Sequence, residues 1–584
     1  MELYNPFRLS LKHGFVNSAL ERLLGLTPLI KAYDACQRSL SAEAFLDYTL
    51  KALETKVVLK GQPLVNELPE TGATIVVANH PLGGLEGVAL TRALLSVRPD
   101  TKVLTNQMLS GIPELSENFL GVDVLGKKTA HRNTSGVRAA DEHLAQGGVL
   151  LVFPAGQVSA NKWRNLTVQD RQWNYMVGRL ALKHKASCLP VFIHGKNPNY
   201  FYLAGLIHRR LRTVLLPRQL TNKTGMSLTM TVGTHISHKE AEKAKTATAL
   251  THLLRMSTYF LAPSSTKAHR PLEILVSETG LLNRDALLID IANLEQYKVL
   301  NKGEFNVYCA PFHALGSVFS ALAEAREITF RAAGEGTGKQ FDTDQYDKYY
   351  LHLFVWDEKN NAIVGGYRLG ETDKIIAQRG VTALYSRSLY KFDQNYMAKF
   401  GNALEVGRSF VTQAYQRHPY ALDLLWRGIG SFVANNPKYS RLFGCVSISS
   451  DHSDMARAFI SDAMMEGFRA EQKFLENVKP IAPLKVKNKI WTPSMLSAIR
   501  DISVFNKLVG QCEPGKSIPV LLRHYIALNG KFVGFSINKG FNDSLDGLIM
   551  VDLQQMPERY LNRYLTKNGA AKFKQHWIDH EATY

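Results

Sequence analysis

Residues 74–87 read TIVVANHPLGGLEG, an apolar run followed by a glycine-rich turn, which is typical of a strand that leads into a helix in an α/β domain. Thr74–Ala78 is a short, mostly apolar run that predicts a buried strand ending just before His80. A glycine turn follows, and a helix is predicted from about residue 86 to residue 95. Further strands are predicted at 149–153, 190–193 and 228–232, with a helix near 172–183. This alternation is typical of an α/β domain with a mainly parallel sheet.

The pattern changes after residue 262. Turn residues accumulate at 262–266, where we place a boundary between one domain at residues 1–265 and a second at 266–584. The predicted elements of the second domain are a strand at 305–310, a helix at 315–330, a hairpin of strands at 350–356 and 362–369, and strands at 442–448, 532–537 and 548–553. Hairpins and long irregular segments favour an α+β fold with a more antiparallel sheet.

The composition is that of a globular protein. The 584 residues are 45% hydrophobic and 21% charged, which excludes a disordered or low-complexity chain. No apolar run approaches the roughly 18–20 residues that span a bilayer, and no signal-peptide pattern opens the sequence. The five cysteines form no CxxC pair, which argues against a disulfide framework and a thiolate zinc site. We therefore expect a cytoplasmic protein with no bound metal.

Positive charge is concentrated in one part of the chain. Residues 151–265 hold 16 Lys and Arg against 3 Asp and Glu, in a chain of net charge +19. Such a segment indicates an anionic partner, either a membrane surface or an acidic carrier protein, and a merely solvated surface is the alternative. No nucleic-acid-binding motif accompanies the charge, so we expect no nucleic acid partner. The arginines concerned, 209, 210, 212 and 218, lie beside Leu206, Ile207, Leu215 and Leu216.

A histidine at the end of a strand with a carboxylate six residues later can form a base and its orienting partner. In such a pair, the imidazole of His80 removes a proton from an attacking hydroxyl, and Glu86 fixes the imidazole tautomer. By itself the motif is equally consistent with a structural histidine in a turn.

Two later segments, each predicted to follow a buried strand, favour the catalytic interpretation. Residues 153–159 read FPAGQVS and residues 190–195 read PVFIHG. With the first block they resemble the glycerolipid-type acyltransferase family over about residues 60–240. Members of that family transfer acyl chains from thioesters to hydroxyls. The resemblance implies catalytic roles for His80 and Glu86, and substrate binding by Asn79, Gly83, Gly84, Phe153, Pro154 and Gly156.

This sequence departs from the family pattern at two places. Five residues separate His80 from Glu86, where the family usually has four before a shorter Asp. Ala155, Gln157 and Val158 stand where the family usually has Glu, Thr and Arg. The missing charged pair is best suited to hold a glycerol phosphate, so a phosphate-free acceptor is expected.

The second half carries its own ordered series of motifs, at residues 326–331 (REITFR), 341–347 (FDTDQYD), 364–369 (VGGYRL) and 405–411 (EVGRSFV). Together they resemble the ornithine lipid N-acyltransferase family over about residues 290–565. That family is related to the Gcn5-type acetyltransferase fold and to acyl-homoserine lactone synthases. The resemblance implies an α+β, Gcn5-related second domain that takes its acyl group from acyl carrier protein.

Roles within the second domain stay open between several residues. Glu405 is the first candidate for holding or deprotonating the amine. Asp342 and Asp344 are alternative partners for a cationic ornithine side chain, and Arg368 or Arg408 for its carboxylate. Arg326 joins them as a substrate-binding candidate. By analogy of fold, strands diverging beside Gly365-Gly366 would admit the pantetheine arm of the carrier.

The whole chain resembles the bifunctional ornithine lipid synthases of bacteria. This implies N-acylation of ornithine by 3-hydroxyacyl-acyl carrier protein in the second domain, then O-acylation of the lyso-ornithine lipid in the first, giving a phosphorus-free lipid. No bound cofactor is implied, and the enzyme would be peripheral on the inner face of the cell membrane. Alternatives are another amino-acid lipid (glycine, lysine or glutamine), a lysophospholipid acceptor, or a non-catalytic scaffold that binds carrier or lipid.

Overall fold

A computed structural model describes residues 5–9, 14–36, 40–107, 109–122, 134–162, 167–207, 209–263, 284–497, 499 and 501–581. The chain forms two compact units. The first comprises Met1–Ser264 and Asn488–Gly515, and the second comprises Ser265–Lys487 and Lys516–Tyr584. Within the described residues, no helix is both long enough and apolar enough to span a bilayer.

The first unit is a sheet covered by helices on both faces. Its helices up to residue 260 are α1 (Gly14–Leu24), α2 (Thr27–Asp34), α3 (Ala42–Ala52), α4 (Leu64–Glu67), α5 (Leu85–Leu95), α6 (Thr134–Ala145), α7 (Met176–Lys183), α8 (Asn199–Ile207), α9 (Arg209–Thr221), α10 (His238–Glu242) and α11 (Ala247–Phe260). Its strands are β1 (Lys56–Gly61), β2 (Thr74–Ala78), β3 (Lys102–Asn106), β4 (Phe119–Val122), β5 (Val149–Val152), β6 (Ala160–Lys162), β7 (Thr167–Gln169), β8 (Ser187–Ile193) and β9 (Ser227–Val232).

The main sheet of this unit has the order β1-β9-β8-β2-β5-β3-β4. All neighbouring strands are parallel except β8 and β9, which confirms the predicted α/β class. β2 and β5 are fully buried because helices cover both faces of a parallel sheet. Since β2 and β5 are parallel neighbours, the segments that follow them emerge side by side.

The second half of the chain contributes α12 (Arg284–Asn293), α13 (Ser317–Ala332), α14 (Thr372–Arg379), α15 (Gln394–Ala398), α16 (Ala421–Asn435), α17 (Asp454–Gly467), α18 (Gln472–Leu475), α19 (Pro493–Leu496), α20 (Ile502–Cys512), α21 (Val520–Ala527) and α22 (Glu558–Glu581). Its strands are β10 (Lys298–Lys302), β11 (Phe305–Pro311), β12 (Leu351–Asp357), β13 (Ala362–Glu371), β14 (Tyr390–Lys391), β15 (Ala403–Val411), β16 (Arg441–Ile448), β17 (Lys479–Pro480), β18 (Lys531–Asn538) and β19 (Ser544–Asp552).

Eight of these strands form the sheet of the second unit, in the order β10-β11-β12-β13-β15-β16-β19-β18. Only β15 and β16 are parallel, and their pairing ends after Glu405↔Phe443, although both strands continue. The sheet therefore opens between β15 and β16. The opening expected beside Gly365-Gly366 is wrong, because these glycines pair with Val411 and Phe410 of β15. A Cβ at Gly365 would lie 2.4 Å from the Phe410 carbonyl oxygen, so glycine serves close strand packing there.

Helix α20 belongs to the first unit although its sequence lies in the second half, an exchange that the prediction of a single boundary at residue 265 did not include. It packs on α11, and buried Leu508 and Leu253 line the same small cavity. The Nζ of Lys507 donates to both carboxylate oxygens of Glu240, at 2.8 and 2.9 Å. The first unit is thus completed by residues that follow most of the second.

Truncation of Leu508 to alanine is expected to destabilise the first unit by about 2–5 kcal/mol, because it removes a buried side chain and leaves a cavity. Hydrogen-exchange mass spectrometry on the full chain should show reduced protection in β2 and α11, with β12 and β13 unchanged. Val520→Ala, at an exposed position of α21, serves as the control. Equal loss of protection in both units would contradict the assignment of α20.

Candidate functional site

The carboxyl end of β2 places His80 against Glu86, which lies in the first turn of α5. The Nδ1 of His80 is 3.1 Å from Oε1 of Glu86, and the Glu86 side chain is fully buried. The same oxygen accepts the backbone N–H groups of Leu82 and Gly83, both at 2.8 Å. Gly83 has φ +110°, a conformation that favours glycine, so the turn brings Glu86 back to the ring despite the extra residue.

Electrostatics prepare His80 to accept a proton. Burial lowers its pKa, but the Glu86 carboxylate opposes burial strongly enough that the pKa of His80 lies above its usual value. Burial raises the pKa of Glu86, yet His80 and the backbone donors bring it below the usual value, so Glu86 stays ionised. A proton on Nδ1 facing this carboxylate leaves the Nε2 lone pair for a substrate hydroxyl.

Asp170 is a site residue that sequence reasoning missed. Its Oδ1 accepts the backbone N–H of His80 at 3.2 Å and the hydroxyl of Ser159 at 2.5 Å. The backbone N–H of Ser159 donates to the carbonyl of His80 at 2.7 Å, so the main chain of His80 is held from both sides. Asp170 is the lone acidic residue in 151–239, and that isolation within a basic segment was the available signal.

A large, mostly apolar cavity lies beside His80, with a volume of about 1590 Å³. It exceeds the roughly 300–1,000 Å³ of ordinary small-molecule sites, and its walls come from strand ends and from α2, α3, α5 and α9. The Phe153 ring lies 4.7 Å from the His80 ring between centroids. The cavity lining includes these predicted residues: His80, Gly83, Gly84, Phe153, Pro154 and Gly156. The cavity is suited to an acyl chain.

Asn79, another predicted substrate-binding residue, does not line the cavity. Its side-chain amide donates to the carbonyl of Ile193 at 3.0 Å and accepts the Ile193 N–H at 2.6 Å. Asn79 therefore ties the end of β2 to β8, and the structure does not support the predicted contact with substrate.

The basic segment divides between the cavity and the surface. Arg212 is buried and lines the cavity together with Leu216. The prediction that these two residues belong to an exposed docking face is therefore wrong. Arg218 is exposed on α9. Leu215 is half-buried, and the side chains of Leu206, Ile207, Arg209 and Arg210 lie outside the part of the chain that the structure describes.

In the second unit, the predicted charged residues converge on one buried network that also includes Asp347. Its ion pairs are Arg326–Asp342 at 3.2 Å, Arg326–Asp347 at 3.0 Å, Arg368–Asp344 at 2.5 Å, Arg368–Asp347 at 3.1 Å, Arg408–Asp342 at 3.0 Å and Arg408–Asp344 at 3.3 Å. Burial opposes ionisation of Asp347, but Arg326 and Arg368 hold its pKa far below the usual range. Each arginine pairs with two of the aspartates, so their charges compensate one another within the network, and the structure does not present them as free contacts for an amino acid.

The carboxylate of Glu405 also has all of its contacts within the protein that the structure describes. It is buried on β15 and accepts the N–H groups of Tyr385 at 3.0 Å and Ser386 at 2.7 Å, together with the hydroxyl of Tyr350. These bonds fix the short helical turn at Tyr385–Ser388. The structure therefore indicates a positioning role for Glu405 and does not support it as the base.

Two other buried carboxyls lie near the opening between β15 and β16. Glu335, in the loop after α13, accepts the hydroxyl of Ser447 at 2.8 Å. Asp546 on β19 accepts from Ser544 at 2.6 Å and from Asn538 at 3.0 Å. Burial raises the pKa of Asp546, and it raises that of Glu335 to about 8. Sequence reasoning missed both, because the first lies in a glycine turn and the second in a buried strand.

No cluster of three or more His, Cys, Asp or Glu side chains among the described residues could hold a metal ion.

Two family models match separate parts of the chain. A family model described as "Acyltransferase" matches residues 44–268, and one described as "Acetyltransferase (GNAT) domain" matches residues 325–427. Glycine N(alpha)-acyltransferase of Phocaeicola vulgatus is 26% identical over 291 residues, covering 47% of this chain and 89% of the relative. Lyso-glycine lipid O-acyltransferase of the same organism is 25% identical over 209 residues, covering 35% and 72%.

Among solved structures, the crystal structure of the 1-acyl-sn-glycerophosphate acyltransferase PlsC from Thermotoga maritima is 18% identical, with a TM-score of 0.24, covering 43% of this chain and 94% of that one. The family matches and named relatives identify the chain as an acyltransferase with an α/β N-terminal acyltransferase domain and a C-terminal Gcn5-related domain, which confirms the predicted fold classes and enzyme class.

Proposed function

We propose that the chain is a bifunctional amino-acid lipid synthase, in which the second unit N-acylates an amino acid and the first O-acylates the product. The observation that carries the proposal is the His80–Glu86 pair opening on the large apolar cavity. A Gcn5-related domain on the same chain supplies the second acyl transfer. Both steps would use an acyl carrier protein thioester as donor.

In the O-acylation step, Nε2 of His80 removes the proton from the hydroxyl of the lyso-lipid. The hydroxyl oxygen then attacks the thioester carbonyl, forming the ester C–O bond as the C–S bond breaks. The proton passes from the imidazolium to the leaving thiolate, while the Glu86 carboxylate stabilises the charged ring. An acceptor without phosphate fits Ala155 and Gln157, which line the cavity where the family usually has charged or polar groups.

We propose ornithine as the head group, from the ordered motifs of the second half. Glycine is the second candidate, because two relatives are named for glycine and lyso-glycine lipid. A host without amino-acid lipids, expressing this chain and fed labelled ornithine or labelled glycine, decides between them by lipid mass spectrometry. The amino acid whose label enters a phosphorus-free diacyl lipid is the head group. We expect the label from ornithine to enter that lipid and the label from glycine to stay out of it. Absence of any new amino lipid would refute the proposal.

We further propose a peripheral site on the inner face of the cell membrane. Exposed Leu203, Leu211 and Val214 lie on α8 and α9, next to exposed Arg218, and another face of α9 lines the acyl cavity. Apolar side chains enter the interface, and each nearby cation adds roughly 1 kcal/mol on an anionic surface. Flotation with anionic vesicles should exceed flotation with neutral vesicles and weaken in high salt. Equal binding to both would argue against the electrostatic part.

A further inference from the structure

The second unit lacks an assigned proton acceptor, and Glu335 is the carboxyl best placed for the task. It is buried, and its one side-chain hydrogen bond among the described residues is the one to Oε2 from Ser447. Glu405 and Asp546 differ, because both oxygens of each accept hydrogen bonds from the protein. Glu335 therefore keeps Oε1 for a ligand.

The position of Glu335 matches the opening of the sheet. Ser447 lies on β16 beyond Phe443, the last residue of β16 that pairs with β15, and so belongs to the divergent part of the strand. Two hydrogen bonds hold the loop that carries Glu335 in this position. The backbone N–H of Glu335 donates to the carbonyl of Phe330 at 2.8 Å, and the side-chain amide of Asn542 donates to the carbonyl of Gly334 at 2.9 Å. Gly334 has φ +74°, and a Cβ there would overlap Asp451, so the chain requires glycine beside this carboxyl.

We propose that Glu335 accepts the proton of the acceptor amine during N-acyl transfer in the second unit, an inference that rests on the proposed function. The ammonium group gives a proton to Oε1, and the free amine attacks the thioester carbonyl. The C–N bond forms, the C–S bond breaks, and the leaving thiolate takes the second amine proton. Glu335 then returns its proton to solvent.

The groups facing Glu335 favour this exchange near neutral pH. Burial raises its pKa most, Asp546 on β19 and Asp451 after β16 add to the rise, and Ser447 and Arg408 on β15 oppose it. The resulting value of about 8 is close to the working pH, where general bases are most effective. The rate should therefore increase as the pH rises through 8, because the carboxylate form becomes populated.

The test uses the purified full chain with 3-hydroxyacyl-acyl carrier protein, with ornithine and with glycine as acceptors. Glu335→Gln keeps the size and an acceptor for Ser447, and should lower kcat by about 10²–10⁴-fold while leaving KM for both substrates within about threefold. Its pH–rate profile should lose the inflection near 8. Glu466→Gln, which neutralises an exposed carboxyl on α17, should keep the rate and the inflection.

Glu335→Gln with wild-type kcat, with a change in KM alone, or with the wild-type inflection would overturn the assignment. Glu335→Asp, which restores a carboxyl, should recover part of kcat and the inflection if the group acts as base. Failure of the wild-type chain to acylate either amino acid would refute the proposed function itself, so the two outcomes are distinguishable.

Discussion

Replacement of His80 by alanine should reduce O-acylation by about 10²–10⁴-fold, the range that a general base contributes. Nδ1 of the ring lies 3.1 Å from Glu86 and the ring lines the cavity, which leaves Nε2 for the acceptor hydroxyl. In the expression host, the monoacyl amino lipid should accumulate while the diacyl lipid disappears. In the wild type, O-acylation should fall as the pH drops below the raised pKa of His80, because the protonated imidazole cannot accept a proton.

His194→Ala is the matched control for this change. His194 follows the neighbouring strand β8, but its Nε2 lies 2.7 Å from the Thr231 hydroxyl, and it does not line the cavity. The control should keep diacyl lipid at the wild-type level. If His80→Ala also made normal diacyl lipid, the base assignment would be wrong.

The second large effect is expected for Arg368→Met, which should lower the free energy of unfolding of the second unit by about 3–5 kcal/mol. Arg368 is almost fully buried and pairs with Asp344 and Asp347, so its loss leaves uncompensated charge in the interior. Denaturant unfolding followed by hydrogen exchange in β12 and β13 measures the loss. Lys374→Met removes the exposed partner of Glu371 and should cost less than about 1 kcal/mol.

The same pair predicts a pH dependence. The pKa of Asp347 is depressed in the folded state, so its contribution to stability is present above its unfolded value of about 3.9 and is lost as the pH falls toward the folded pKa. The difference between wild type and Arg368→Met should therefore shrink below about pH 4. A difference that stays constant into acid would show that lost packing, and not the ion pair, explains the effect.

The sequence was informative where chemistry and local structure coincide. The strand Thr74–Ala78, the turn at Gly83 and the carboxylate of Glu86 lie within a few residues, so local rules sufficed to predict their arrangement. Asp170 reaches His80 across 90 positions of sequence, and that contact depends on where the β6–β7 hairpin brings the chain back beside β2. Spacing alone carries no information on such a contact.

In the second unit, the sequence was sufficient to locate the charged motifs but not to predict which groups their side chains contact. Whether Arg368 contacts a substrate or an aspartate depends on side-chain burial, which local patterns do not encode. Glu405 illustrates the limit, because its carboxylate is occupied by N–H groups from a turn some twenty residues upstream. Glu335 illustrates the converse, since a carboxyl in a glycine turn looks solvated in sequence and is buried in the fold.

The exchange of α20 has a consequence for synthesis on the ribosome. Residues 1–264 leave the exit tunnel without the helix that covers α11, and roughly 250 further residues must be made before it arrives. At about 5–20 residues per second this delay is on the order of 12–50 s, during which the face of α11 that α20 later covers remains exposed to solvent. We therefore expect the first unit to complete its fold only after most of the second has been translated, so that the two units mature together.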